Sequence, residues 1–214
     1  MIKYKMDELT EYLKSAYYDE IKLENILNKK IIITKDHISN IDIYYYCIYG
    51  INIINLFEKY GYVFTTNDYI MLVNINIHIL NDIPENMKTN EIYETAIEQH
   101  WYALEFVPND KKTDYICGIA VEKNGCALVF VPEDKKTDEL CKIAVKNNGD
   151  ALRYVPENKK TNEICEIAVR QNGRALEFIP EDKKTDEICE IAVRRSRWTL
   201  QYVPDNKKYL FIKK

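Results

Sequence analysis

The chain has 214 residues, of which 46% are hydrophobic, so it holds enough apolar surface to bury a core and is not expected to be disordered. Its formal net charge of -4 gives no general electrostatic reason to expect nucleic acid or an anionic membrane as a partner. No secretory leader and no run of about 18 apolar residues occurs, so the sequence predicts a cytoplasmic protein that is not secreted and has no membrane partner.

Residues 1–65 carry weaker patterns than the rest of the chain. The segment DELTEYLKSAYYDEIKLENILN predicts an amphipathic helix, and residues 39–60 predict a divergent helix pair interrupted at Gly50. We therefore expect a divergent helical N-terminal region over residues 1–65.

Residues 66–208 repeat one pattern every 24 residues. All six prolines of the chain take the same position in successive units: Pro84, Pro108, Pro132, Pro156, Pro180 and Pro204. The first unit is interpreted as degenerate, because one residue fewer separates Thr66 from Pro84 than separates Thr89 from Pro108. A period of this length predicts stacked supersecondary units.

Each unit carries the signals of two helices. Threonines followed by acidic residues predict N-caps at Thr113, Thr137, Thr161 and Thr185. Ile or Leu three residues later excludes a capping box. Glycines about 11 residues further on predict left-handed C-terminal caps at Gly125, Gly149 and Gly173. The following segment, ALEFVP in one unit, predicts a second and shorter helix that ends before the proline.

The apolar stripe of such a hairpin needs a neighbour to cover it, so the units must stack. The sequence predicts an all-α fold, namely an α-solenoid of stacked short helical hairpins over residues 66–208, with a degenerate first unit and regular units after it. The tail at residues 209–214 is expected to cap the C-terminal end. Trp101 and Arg197 replace the repeated glycine at the two margins, where atypical capping units are expected.

Cysteines and aromatic residues recur with the repeat, and we interpret both rows as core. The cysteine row is Cys117, Cys141, Cys165 and Cys189. Stacked helices lie roughly 8–10 Å apart, which is too far for disulfides or for one shared zinc ion. Cys47 and Cys126 lack ligand-like neighbours, so the set suits a reducing compartment. The aromatic row is Phe106, Phe130, Tyr154, Phe178 and Tyr202.

Catalytic signals are missing from the sequence. His37, His78 and His100 share no motif, and the familiar nucleotide, acyl-transfer and zinc motifs do not occur. We predict no enzyme activity, no cofactor and no metal site. An unrecognised active site near Asp36 and His37 in the N-terminal region stays open as a third hypothesis.

Lysine doublets after five of the six prolines are the strongest indication in the sequence of contact with phosphate. The candidates are Lys111, Lys112, Lys135, Lys136, Lys159, Lys160, Lys183 and Lys184, with Lys207 and Lys208 in the last unit. A column of such doublets is typical of nucleic-acid binding. Acidic neighbours offset the charge, for instance Glu133, Asp134, Asp138 and Glu139. Solvated loops between helix caps are therefore the favoured interpretation.

Three positions of the repeat change their chemistry from unit to unit, and these columns are the candidates for binding a partner. The first column is Glu105, Val129, Arg153, Glu177 and Gln201. The second is Gly118, Lys142, Glu166 and Glu190, and the third is Tyr102, Cys126, Asp150, Arg174 and Trp198. Loosely constrained surface explains the variation equally well.

The units ALxFVPxDKKTDEICxIAV, read over residues 79–208, resemble a family of short tandem helical repeats of unknown function found in Mimivirus-like giant viruses and some intracellular bacteria. The resemblance implies an α-helical repeat fold, and a giant-virus source, but no activity. Our leading hypothesis is a non-catalytic scaffold or adaptor that binds another protein, viral or host, in the host cytoplasm or viral factory. The alternative is a nucleic-acid-binding or translation-associated helical scaffold, motivated by the lysine column.

Overall fold

The computed structural model describes residues 52–59 and 61–212. Residues 1–51, which include Asp36, His37, Cys47 and most of the predicted N-terminal helices, lie outside the described residues. Throughout the described part, all regular structure is helical, which confirms the all-α class. The chain divides into two compact units, Met1–Gln99 and His100–Lys214.

The first unit contains three described α-helices: α1 (Ile53–Lys59), α2 (Thr66–Ile75) and α3 (Asn90–Gln99). Two 3-10 helices, Ile77–Asn81 and Glu85–Met87, connect α2 to α3. Helix α2 packs along α3 and against the first of the two 3-10 helices. Their shared interior consists of side chains that are at most 1% exposed, such as Tyr69, Leu72 and Tyr93.

The N-cap of α2 corrects the predicted start of the first repeat. Thr65, not Thr66, is the cap, and its hydroxyl accepts a hydrogen bond from the Asp68 backbone at 3.3 Å. The Asp68 carboxylate in turn accepts from the Thr65 backbone at 2.9 Å, which completes a capping box. Thr65 lies 19 residues before Pro84, the same spacing as in later units. The predicted deletion was therefore wrong, and the unit has full length.

The second unit repeats a regular three-part module. Its α-helices are α4 (Asp114–Lys123), α5 (Asp138–Asn147), α6 (Asn162–Gln171), α7 (Asp186–Arg195) and α8 (Tyr209–Ile212). Its six-residue 3-10 helices are Trp101–Phe106, Gly125–Phe130, Gly149–Tyr154, Gly173–Phe178 and Arg197–Tyr202. Three-residue 3-10 turns follow each proline: Asn109–Lys111, Glu133–Lys135, Glu157–Lys159, Glu181–Lys183 and Asp205–Lys207.

Successive modules stack as the hairpin prediction requires. Each helix from α4 to α7 packs beside the next, and each six-residue 3-10 helix packs beside the next. The second element of the hairpin is thus a 3-10 helix in every module. The threonine N-caps are confirmed, since the Thr137 hydroxyl accepts from the Leu140 backbone at 3.1 Å and its equivalents do the same.

The core of the second unit lies between the α-helices and the 3-10 helices. Small and branched residues recur there, and the predicted burial of the cysteine row is confirmed, with Cys117, Cys141, Cys165 and Cys189 all 0% exposed. Cysteine and alanine one turn apart let neighbouring helices approach closely. Leu104, Leu128, Leu152 and Leu176 fill the 3-10 side and are likewise 0% exposed.

The repeated glycines serve close packing, so the predicted left-handed caps were wrong. Among the described residues only Gly61 has a positive φ. The helices before these glycines, α4 to α6, end instead at an extended asparagine, such as Asn148, whose side chain accepts from the Asp150 backbone at 3.0 Å. A Cβ on Gly149 would lie 2.5 Å from the Ala168 carbonyl oxygen of the following module. Glycine is needed here because the backbones of two modules touch.

The C-terminal end of the stack is only partly covered. Helix α8 packs against the turn Asp205–Lys207, but Tyr209 is 67% exposed and Leu210 is 37% exposed. Val193 of α7 is half-buried, whereas its equivalent Val169 is fully buried. The described part of the tail thus leaves apolar side chains exposed, and residues 213–214 of the predicted cap lie outside the described residues.

Candidate partner-binding surfaces

The 3-10 face is our name for the first variable column, which lies on the outer side of the six-residue 3-10 helices. Its members are Glu105, Val129, Arg153, Glu177 and Gln201, and all five are exposed. Their neighbours in the repeat, such as Leu152, are buried in the core. The structure thus brings this column together as one stripe of solvent-facing side chains.

The aromatic row lies beside the 3-10 face, where it is half-buried instead of packed fully inside as predicted. The guanidinium of Arg153 lies 5.4 Å from the centre of the Tyr154 ring and 5.2 Å from the Phe178 ring. A hydrogen bond to Glu177 raises the pKa of Tyr202. These contacts hold the charged side chains against aromatic rings, so the 3-10 face presents fixed charge next to apolar surface.

The second variable column lies on the α-helices and is half-buried. Ion pairs occupy its charged members: Lys142 of α5 pairs with Glu163 of α6 at 2.8 Å, and Glu166 pairs with Arg170 within α6 at 2.6 Å. Glu190 pairs with the next arginine in the same way. Since these groups already have partners, this column is a weaker candidate than the 3-10 face. In the third column, Arg174 and Trp198 are exposed and the other three members are half-buried.

The second lysine of each doublet is a framework residue, which corrects the prediction of solvated loops. Lys112, Lys136, Lys160 and Lys184 are only 5–7% exposed. The ammonium of Lys160 donates to the Phe178 carbonyl of the next module at 2.9 Å and pairs with Glu157 at 2.6 Å. Lys112 donates in the same way to the Phe130 carbonyl at 2.8 Å, and burial lowers its pKa. The ammonium groups of Lys112 and Lys160 thus link adjacent modules, whereas those of Lys136 and Lys184 pair with a glutamate of their own module.

In four of the five doublets the first lysine also links modules. Lys135 pairs with Asp114 at 2.9 Å, and Lys159 pairs with Asp138 at 2.7 Å, in both cases across to the preceding α-helix. The hydrogen bond to Asp114 raises the pKa of Lys135. Lys183 donates to the backbone carbonyl of Lys160, whereas Lys111 is exposed. The doublets therefore do not form a free phosphate-binding column.

Amide side chains link successive modules where the α-helices turn into 3-10 helices, and these contacts were not predicted from the sequence. Asn147 accepts from the Gly125 backbone at 3.1 Å and donates to the Glu122 carbonyl at 2.6 Å. Gln171 accepts from the Gly149 backbone at 2.8 Å. A repeat-by-repeat comparison would have shown an amide at this position in two successive units.

The cysteines of the core are poor nucleophiles and poor metal ligands. Burial raises the pKa of Cys141 and of Cys165 to about 11, so both thiols stay protonated near neutral pH. Cys126 is half-buried and lies 3.2 Å from the Asn148 amide nitrogen. Within residues 52–59 and 61–212 no group of three potential ligands is placed to hold a metal ion. His78 and His100 are both exposed.

None of the helices in residues 52–59 and 61–212 combines the length and the apolar composition that a membrane span requires.

The stacked modules define this chain as an all-α repeat protein of the solenoid class. A sequence profile of the family described as Domain of unknown function (DUF4116) matches residues 116–158 and again residues 161–206. The two matches are adjacent and each spans nearly two repeats, so the chain is similar to a repeat family of unknown function. No curated protein and no solved structure matches the chain.

Proposed function

We propose that this chain is a non-catalytic scaffold that binds another protein through the 3-10 face. The observation that supports this proposal is that the side chains of this column change in charge and polarity from module to module, while all five are exposed. The surrounding positions are buried or bonded between modules, so their identities are set by packing. Variation on the 3-10 face leaves that framework intact, which is how repeat proteins adapt one fold to different partners.

The chemistry of the 3-10 face suits a protein partner of mixed charge. Arg153 lies between Val129, which is 42% exposed, and the acidic Glu177. Half-buried aromatic rings flank the column, and an aromatic surface rimmed by charge is typical of binding hot spots. Since Arg153 already rests on two rings, it meets a partner with little further loss of side-chain freedom.

The proposal also covers location and origin. Free buried thiols support a reducing compartment such as the cytoplasm. The resemblance to repeats of giant viruses extends the proposal to a viral adaptor that acts in its host. The lysine column no longer supports the nucleic-acid alternative, because most of these lysines are bonded within the fold.

Comparative affinity capture with the full chain tests this function. Tagged wild type is used to capture and identify a partner from cells that produce it, and the binding of that partner is then measured directly. We expect Arg153→Glu to weaken binding by about ten-fold or more, since charge reversal at a central contact commonly costs over 1.4 kcal/mol.

Lys146→Glu is the matched control, because it makes the same change of charge at an exposed residue of the α-helical side. Thermal unfolding of both variants checks that the fold survives. If wild type, Arg153→Glu and Glu177→Lys bind the partner equally well, the 3-10 face is not the binding surface. A loss of binding shared by Lys146→Glu would contradict it as well.

A further inference from the structure

We propose that the C-terminal corner of the stack binds a single-stranded polynucleotide. We define the C-terminal corner as residues 170–174 and 194–198, where the last two full α-helices turn into their 3-10 helices. This inference goes beyond protein binding and uses residues outside the 3-10 face. It also does not involve the lysine column, because most of those lysines are bonded within the fold.

Arginine is confined to one part of the chain. All six arginines lie between Arg153 and Arg197, and five of them lie in the C-terminal corner: Arg170, Arg174, Arg194, Arg195 and Arg197. Elsewhere the chain uses lysine. A guanidinium binds phosphate through two parallel hydrogen bonds and stacks on flat groups, which an ammonium does not.

Charge rises along the stack at this position of the repeat. The equivalent corners 122–126 and 146–150 each contain one lysine and one acid. Residues 170–174 then contain two arginines, and residues 194–198 contain three, with no acid in either. The summed formal charge of these five residues thus grows from zero to plus three over successive modules, although the whole chain is acidic.

The two arginine-bearing corners lie against each other. A Cβ built on Gly173 would be 3.2 Å from the Cβ of Arg195. Earlier corners are in similar contact, since Asn172 of one donates to Asp150 of the other at 2.9 Å. Stacking of the modules therefore gathers the arginines into one cluster.

Three of these arginines are not used by the framework. Arg195 takes the position of Asn147 and Gln171, whose side-chain oxygens accept from a glycine backbone. A guanidinium has no acceptor and is unable to replace them. Arg174, Arg195 and Arg197 are exposed, and in the described part of the chain no carboxylate pairs with any of them. Arg170 and Arg194 pair with Glu166 and Glu190, so they add less net charge.

An exposed tryptophan adjoins this charge. Trp198 is 83% exposed and borders an open concavity of about 520 Å3 with Arg197, Leu200, Gln201 and Lys208. Lys208 keeps a partner in Asp205 at 2.6 Å. Single-stranded nucleic acids are bound where bases stack on aromatic rings and phosphates follow a positive surface. A flat aromatic ring beside free guanidinium groups favours such a strand over an acidic peptide, which brings no base to stack, and over a duplex, whose bases are already stacked.

Fluorescence anisotropy of the full chain with labelled oligouridine RNA and oligothymidine DNA tests the proposal. We expect wild type to bind, with log affinity falling against log salt at a slope of about -2, because each of three phosphate contacts contributes roughly -0.7. Binding of both oligomers shows a general polynucleotide site, while binding of one alone shows a preference for RNA or for DNA. Trp198→Ala is expected to lose about ten-fold in affinity, as for one stacked base.

Arg195→Glu is expected to weaken binding by at least as much, and Lys123→Glu provides its matched control. Lys123 holds the same position three modules earlier, is exposed, and undergoes the same change of charge. Thermal unfolding checks that all three variants fold. Absence of binding to both oligomers at low salt would overturn the proposal. So would an equal loss in Lys123→Glu, unchanged affinity in Trp198→Ala, or equal affinity for polyglutamate or for the matching duplex.

Discussion

Replacing Gly149 with alanine tests whether close approach between modules, and not backbone conformation, explains the repeated glycine. The added Cβ would lie 2.5 Å from the Ala168 carbonyl oxygen and 2.9 Å from the Asn172 backbone nitrogen. Both neighbours are backbone atoms of the following module, so no side chain is able to swing aside. The modules must separate, and overpacking of this kind costs about 1–3 kcal/mol.

Gly118→Ala supplies a control with the opposite expected sign. Gly118 lies inside α4, and a Cβ built there has no atom within 4 Å. Alanine in a helix interior is favoured over glycine by about 0.5–1 kcal/mol, so this variant should be more stable than wild type. The two variants differ only in where the same methyl group is added.

Thermal unfolding followed by far-UV circular dichroism measures both effects. For a chain of this size about 1 kcal/mol corresponds to about 2–4 °C in Tm, so Gly149→Ala should lower Tm by about 3–10 °C. Gly118→Ala should raise it by about 1–4 °C. A Tm for Gly149→Ala equal to or above that of wild type would refute the role assigned to the glycine. Urea unfolding gives the same comparison as a free energy.

Three further predictions concern other framework residues. Lys160→Ala should lower the free energy of unfolding by about 1–3 kcal/mol in urea titrations, because the Phe178 carbonyl loses its donor, while Lys111→Ala at an exposed position should change it by less than about 0.5 kcal/mol. Thr137→Ala removes a helix N-cap and should cost about 0.5–2 kcal/mol, with Thr137→Ser restoring most of the loss. Finally, burial raises the pKa of Cys141 and Cys165 from 9.0 to about 11. The folded chain therefore keeps protons that the unfolded chain releases, and the free energy of unfolding should fall as pH rises from about 9 to about 11. Near pH 10 the free energy of unfolding should be lower by about 1 kcal/mol per thiol. In urea titrations, the variant that carries both Cys141→Ala and Cys165→Ala should therefore lose about 2 kcal/mol less than wild type over this pH range.

Features that depend on near neighbours in sequence were predictable. The Thr137 cap involves a backbone group three residues away, and burial of Cys141 follows from the helical spacing of apolar residues. The 24-residue period predicted that modules stack, because a helical hairpin with one apolar stripe needs a neighbouring hairpin to cover it. Local chemistry and periodicity together were thus enough to predict the all-α solenoid.

Features that depend on the neighbouring module were not predictable from one unit. The groups in contact with Gly149 are 19 to 23 residues away, and the Lys160 ammonium bonds a carbonyl 18 residues away. A glycine after a helix and a lysine beside acids both have common local explanations, namely a left-handed cap and a solvated loop. The local explanations were wrong because cross-module contacts override them. The arginine cluster was missed for a similar reason, since the repeat places residues from two modules at one corner.

Because each module contacts only its neighbours, the residues that stabilise the stack differ from those that are available for binding. An interior module is held on both sides, so its corner must keep glycine and an amide that bond the adjacent corners. The last corner has a neighbour on one side only, and there Arg195 and Arg197 replace the amide and the glycine, and Ser196 replaces the asparagine. Side chains at this end can therefore change without breaking the stack. We accordingly expect Trp198→Ala and Arg195→Glu to leave Tm within about 2 °C of wild type, although both weaken polynucleotide binding, whereas Gly149→Ala lowers Tm. A large drop in Tm for Trp198→Ala would instead make this residue a cap of the stack.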